Sequence, residues 1–561
     1  MKSLDPITLE ILFNALKSVT DETFIALMRS AYSTNIKERR DHSTALMDRD
    51  GRLVVQAEAS LPIHIASMTG TLTAVLAQYG DDFHDGDIFV ANDPHVAGGT
   101  HLPDINMVMP VFVDGELLGF MCNIAHHADV GGAVPGSMAG GMSEIYQEGL
   151  RIPAVRLFRA GQLDDDLMRL LLLNVRVPEE RQGDYFAQVA ACRLGLRRLL
   201  EIAAANGSAT LQQVFVEIID RTKQRMSAAI ADIPDGVYRF QDVMDDDGLG
   251  STDIPIAVTI TVSGNDVDID FAGTSAQVDG NINVTFNATQ AAVCYSLKAL
   301  LDPDIPNNQG MLDIPRIHVE KGTLLNAGFP APVAARANTC QRVVDVIIGA
   351  LADALPERAI GASNGANTTA VFSGVDPRNG RHYVYLETLG GGSGARATAD
   401  GKDGVQVHIT NTSNLPVEAI EMEYPLLVES YSLVQDSGGA GKYRGGMGLQ
   451  RVIRPVDHDC TFNGAGERFS HRPWGLFNAE SGAPGRFLHV DAGGAQTALA
   501  IKPSNVRVRD GEHIIVESPG AGGYGAAAQR AADKVQADFD GEKISAQFRK
   551  TYYSKADGGS E

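Results

Sequence analysis

The sequence predicts a mixed α+β chain of several domains, with β-sheets and a helical block in its N-terminal half and a β-rich C-terminal half. Three observations carry this. Short apolar runs of alternating character fill residues 45–124, and helical periodicity dominates from Leu163 to Ile233. Beyond residue 365 the chain turns to glycine and short apolar strands. Its 561 residues exceed several-fold the roughly 150 expected of one domain, and no internal repeat marks a solenoid.

Taken in order, Ile11, Leu12, Leu16, Val19, Ala26 and Leu27 recur at helical spacing within 7–32 and predict a helix with one buried face. A second helix is expected over 62–78. Strands are expected over 45–55, 87–90, 107–113 and 117–124, with a turn at Asp114-Gly115. The helical block places Leu167, Leu171, Phe186, Val189, Leu196, Leu200, Val214 and Ile218 on apolar faces. After Pro234-Asp235-Gly236, the segments 258–262 and 266–271 alternate with period two around a Gly264-Asn265 turn. Helices follow over 288–301 and 342–355, and a last strand over 514–517. Four regions are therefore expected: 1–233, α/β with the helical block; 234–364, mixed; 365–525, glycine-rich and β-rich; and 526–561, a polar segment that is either a frayed tail or a partner-docking helix.

Composition narrows the function. A net charge of −23 repels phosphate backbones and anionic lipid surfaces, so nucleic acid and membranes are not expected partners. The five cysteines, Cys122, Cys192, Cys294, Cys340 and Cys460, form no C-x-x-C pair, which argues against a disulfide framework or a thiolate zinc site. Acidic Asp5 and Glu10 interrupt the start of the chain, unlike a signal peptide, and no run approaches the length of a membrane span. A cytoplasmic location is expected.

Four of the fourteen histidines, His95, His101, His126 and His127, crowd into residues 95–127 among Asp93, Asp104 and Asp129. Pro103 keeps His101-Leu-Pro-Asp104 out of a regular helix, so imidazole and carboxylate are presented from a loop or strand end. His126 closes the expected strand 117–124. If the two segments neighbour one another, His101, Asp104 and His126 converge on one ion. Imidazole and carboxylate donors suit Zn, Mn or Fe(II), and His127 and Asp129 would then orient ligands or transfer protons. The alternative is a set of hydrogen-bonded histidines around a glycine-rich turn. Gly438–Gly446 fails as a phosphate loop because Asp436 and Tyr443 stand where Gly and Ser or Thr are required. Gly520–Gly525 fits a dinucleotide pattern formally, yet no βαβ unit follows. No cofactor-binding residue is assigned. The single Trp474 lies in His471-Arg-Pro-Trp-Gly475 and reads as a packed aromatic.

Asn35-Ile-Lys-Glu-Arg-Arg40-Asp41, Asn92-Asp93-Pro94, Gly98-Gly-Thr-His101-Leu-Pro-Asp104, Ala125-His-His-Ala-Asp129-Val-Gly-Gly132, Glu148-Gly-Leu-Arg-Ile-Pro153, Asn411-Thr-Ser-Asn-Leu-Pro416 and Tyr443-Arg-Gly-Gly446 together closely resemble the hydantoinase B/oxoprolinase family. The resemblance implies a B-type subunit of an ATP-dependent cyclic-amide hydrolase, acting on a hydantoin, lactam or 5-oxoproline ring and active only with a partner. In that division of labour an A-type subunit holds ATP and Mg and phosphorylates the amide oxygen. The B-type subunit holds one divalent metal and completes the hydrolysis. The resemblance also implies ligands at Asp41, His101, Asp104 and His126, with His127 or Asp129 as general base or orienter. A ketone carboxylase subunit and a structural metal-binding assembly subunit are the alternatives; Asp41, where the carboxylase branch would carry Glu, tilts toward hydrolysis.

Overall fold

A computed structural model describes residues 4–554. Its N-terminal region centres on a seven-stranded sheet ordered Leu53–Gln56, His42–Asp48, Glu116–His126, Asp104–Val113, Ile88–Ala91, Val155–Arg159 and Gln162–Leu163. Both faces of this sheet are covered. On one, the helices Pro6–Ser30, Pro178–Asn206 and Ser208–Ile230 pack Leu16, Leu199 and Phe215 against Leu46, Val111 and Met121. On the other, His64–Tyr79 packs Met68 and Leu72 against Ala45, Phe89 and Phe120. Burial on two sides explains why His42–Asp48 is buried at every position, so that its inward and outward residues cannot be told apart by polarity.

The long first helix begins at Pro6, with the Asp5 carboxylate accepting from the Thr8 N–H. Two residues assigned to apolar faces are corrected by the structure. Ile11 is 63% exposed and Phe186 is 40% exposed, because the buried stripes run through Leu9, Leu12 and Leu16 and through Tyr185 and Val189.

A four-stranded sheet follows, ordered Arg316–His318, Asp266–Asp270, Thr252–Ser263 and Gly236–Asp246. The helices Phe286–Leu301 and Arg336–Leu351 bury Val293, Leu297, Val343 and Ile347 against Val258 and Ile260. The remaining chain forms a four-stranded and a five-stranded sheet, which share a core through Phe372, Tyr385, Phe462, Phe487 and Val516. The two glycine-rich segments run together in this region: Tyr443 and Tyr524 exchange backbone hydrogen bonds at 2.9 and 3.0 Å. A Cβ on Gly445 would lie 1.9 Å from the Ala521 carbonyl oxygen, so the glycine permits close backbone contact. Trp474 packs against Phe240 with the rings tilted and donates to Asp242 at 3.0 Å, as a packed aromatic should.

The segment after residue 525 is not a frayed tail where it is described. Helices Ala532–Asp540 and Ala546–Tyr552 fold back so that Val535, Ile544 and Tyr553 pack around Ala440. Arg530 clamps them by pairing with Asp400 and Asp538. Residues 555–561 of that expected segment lie outside the described residues.

Candidate metal centre

The hairpin from Asp104 to His126 builds the centre. Its strands pair in register so that Asp104 stands directly opposite His126, and both side chains are buried where the sheet meets the loop carrying His101. One ring nitrogen from each of His101 and His126 and one carboxylate oxygen of Asp104 lie within 4.8 Å of one another. His101 Nε2 is 3.1 Å from Asp104 Oδ1, yet neither atom has a hydrogen-bond partner. Two buried, unsatisfied polar atoms facing each other are what a cation between them would satisfy. The donor set of two imidazoles and a carboxylate suits a divalent transition metal.

Neighbouring groups fix each donor. His101 Nδ1 donates to the Ala334 carbonyl at 3.0 Å, which leaves the Nε2 lone pair directed at Asp104. Asn35 spans His126, with its amide nitrogen 2.9 Å from Nδ1 and 2.7 Å from the main-chain oxygen. The other oxygen of Asp104, Oδ2, accepts from Arg336 at 2.6 Å and from Thr100 at 3.2 Å. Arg336 opens the helix Arg336–Leu351 and lies 232 residues from Asp104 in sequence.

Asp41 reaches the same cavity by backbone pairing. Its carbonyl accepts from the His126 N–H at 2.9 Å, immediately beyond the end of the sheet. Its carboxylate lines the cavity and stands 3.8 Å from His64 Nε2, but it is not one of the three groups that converge within 4.8 Å. His64 is a third cavity histidine, one that the sequence reading did not single out. Its Nε2 is also 3.7 Å from Asp104 Oδ1, and its Nδ1 is held at 2.8 Å by Ser43 Oγ. The available signal was a lone histidine in the apolar run Leu61-Pro-Ile-His64-Ile65. Arg336 had no local signal.

His127 and Asp129 are placed elsewhere. Successive strand residues point to opposite faces, so His127 turns from the cavity toward Gln188, 3.0 Å away, and packs against Tyr185. Asp129 clamps a loop by accepting from the N–H groups of Gly131, Gly136 and Arg176 and from the Arg176 guanidinium. Neither lines the cavity that holds the three donors. His95, also in the cluster, donates its ring N–H to the Ala331 carbonyl at 2.9 Å.

Burial sets the electrostatics. It pushes His64, His101 and His126 below the ordinary imidazole value, favouring the neutral ring whose lone pair a metal requires. Burial also works to raise Asp104, but His101, Arg336 and His64 together hold its carboxyl well below the usual range. Burial lowers His127 to about 4. The same cause raises Glu148 to about 8; its Oε1 accepts from the Ala334 N–H at 2.7 Å while Oε2 has no partner. Ala334 therefore links Glu148 to His101 through its two backbone groups.

The chain that carries this hairpin, donor set and arginine has known relatives. The hydantoinase B/oxoprolinase family model matches residues 5–527, and the chain belongs to that family. It is 32% identical to the caprolactamase subunit beta of Pseudomonas jessenii, over 96% of this chain and 94% of that protein. It is 33% identical to 5-oxoprolinase 1 of Arabidopsis thaliana, over 93% of this chain but 42% of that longer protein. The crystal structure of the ATP-dependent caprolactamase from Pseudomonas jessenii superposes with a TM-score of 0.93 at 29% identity, covering 98% of this chain and 96% of that chain. Among the described residues, no helix is long and apolar enough to cross a membrane.

Proposed function

We propose that this chain is the metal-holding subunit of a cytoplasmic, ATP-dependent cyclic-amide hydrolase, and that it opens a hydantoin, lactam or 5-oxoproline-like ring. An A-type partner binds ATP and Mg and phosphorylates the amide oxygen, because an unactivated amide is a poor electrophile. His101, Asp104 and His126, joined by Asp41, hold one divalent ion, Zn, Mn or Fe. Bound there, the ion supplies Lewis acidity and a nucleophile at neutral pH. Arg336 keeps Asp104 ionised, Asn35 fixes the His126 ring, and the Ala334 carbonyl fixes the tautomer of His101. His64 holds a nitrogen between the carboxylates of Asp41 and Asp104. His127 and Asp129 serve as positioning residues for the strand end and the loop that follows it.

The observation that carries this reading is the pair of unsatisfied buried atoms, His101 Nε2 and Asp104 Oδ1, beside His126. The test is elemental analysis of the co-expressed two-subunit complex, together with ring opening of a hydantoin and lactam panel with and without ATP. One tightly held transition metal per chain and strict dependence on ATP and partner are expected. Full activity of this chain alone, without ATP, would refute the shared reaction.

A further inference from the structure

We infer that the surface chamber beside the metal centre, floored by Pro62, Ile65, Tyr295 and Met311 and facing Lys298, receives an anionic, phosphorylated cyclic amide before it reaches the metal. The inference rests on the hydrolase reading above.

Size forces the question. The cavity among Asp41, His64, His101, Asp104 and His126 is about 20 Å³, room for one water or ion and not for a ring. A second cavity of about 400 Å³ adjoins it. One stretch of chain separates the two: Leu61, Ile63 and His64 face the metal side, whereas Ser60, Pro62 and Ile65 face the chamber. Thr410 lines both. The two strips of this wall are joined by the Ile63 N–H donating to the Ile409 carbonyl at 3.3 Å and by the Asn411 amide donating to the Ala59 carbonyl at 3.2 Å, with Leu61, Ile63 and Ile409 packed in one core. The chamber is thus the adjoining space large enough for a ring, separated from the metal side by the thickness of this wall.

Its chemistry fits an anion on an apolar ring. Lys298 binds the neutral Asn307 amide at 2.8 Å, and the nearest acid in the lining, Glu58, is already paired with Lys17 at 2.6 Å. Lys298 is the one lysine or arginine in the lining, and although Asp302, Asp304 and Glu58 offset part of its charge, its ammonium is the cation the chamber presents on a protein whose overall charge is −23. Aromatic and aliphatic walls with one convergent charge are the usual make-up of a small-molecule site.

All five cysteines of this chain are buried, so a thiol at exposed Ala299 in the chamber is the accessible one of this subunit, and labelling is read on this subunit after the labelled complex is separated. We expect ATP with a turned-over cyclic amide to slow maleimide labelling of Ala299→Cys about ten-fold, and to leave Ala209→Cys, in an unrelated surface cavity, unaffected. Ala299→Trp should retain metal and ADP formation while ring opening per ADP falls at least ten-fold; Ala209→Trp should match the wild type. Lys298→Met should lose the protection. A complex that opens its ring yet shows no protection, with Ala299→Trp fully coupled, overturns the chamber. A wild-type complex that opens no ring counts against the hydrolase reading, while protection of the thiol in that complex still scores the chamber. With neither ring opening nor protection, both fall.

Discussion

Asp104 and His126 are cross-strand partners, the first residue of one strand and the last of the next. The strands of ten and eleven residues, with the turn at Asp114-Gly115 between them, account for their separation in sequence. Period-two geometry then decides which histidine of the His126-His127 pair enters the cavity.

Removing donors should be read as lost metal before lost activity. His101→Ala and His126→Ala should drop metal content by an order of magnitude in elemental analysis of an intact complex. Asp104→Asn should do the same and also destabilise the fold by about 3 to 5 kcal/mol, because it strands Arg336 in a buried site. Denaturant titration separates the two effects.

Gly70→Ala should weaken metal binding without touching a donor. A Cβ there would lie 2.5 Å from the Gly98 carbonyl, and Gly98, at φ 69°, belongs to the loop that delivers His101. The helix containing Gly70 cannot yield cheaply, since Met68 and Leu72 beside it are core residues. Competition with a chelator should show release at a lower chelator concentration than in the wild type.

Glu148 gives stability a slope with pH. Its folded value, about 8, lies above its ordinary 4.5, so the unfolded chain loses this proton first as pH rises. The contribution is whole below pH 4.5 and declines as pH climbs toward 8. Glu148→Gln, which keeps the acceptor for the Ala334 N–H, should flatten the melting-temperature profile across that window. An unchanged slope would remove Glu148 as its source.

His127→Phe and Asp129→Ala test the positioning role. His127→Phe should leave metal content within error of the wild type, since the ring packs on Tyr185 outside the cavity. Asp129→Ala should cost about 2 kcal/mol or more through its lost N–H and guanidinium partners. Metal loss comparable to His126→Ala in either variant would return these residues to the chemistry.

Much of this was legible in the chain. The hairpin showed in two apolar runs around Asp114-Gly115, and the histidine density marked where His101, Asp104 and His126 would meet. Asp41 was reachable only through the family's motifs, since a carboxylate some sixty residues upstream leaves no local trace. Arg336 and His64 were hidden for a different reason. Each looks like an ordinary member of its helix, and only tertiary packing turns a buried polar residue into part of a site. Ile11 and Phe186 erred in the other direction, because hydrophobic spacing locates a stripe to within about one position.

The bond between Arg336 and Asp104 also sets the smallest unit that can work. Every proposed donor lies before residue 130, yet the charge that holds Asp104 ionised and the carbonyl that orients His101 arrive from residues 334–336. Truncation after residue 233 would preserve the entire ligand inventory and still yield a collapsed or promiscuous pocket. An ion held there would therefore report that two distant stretches of polypeptide have already docked.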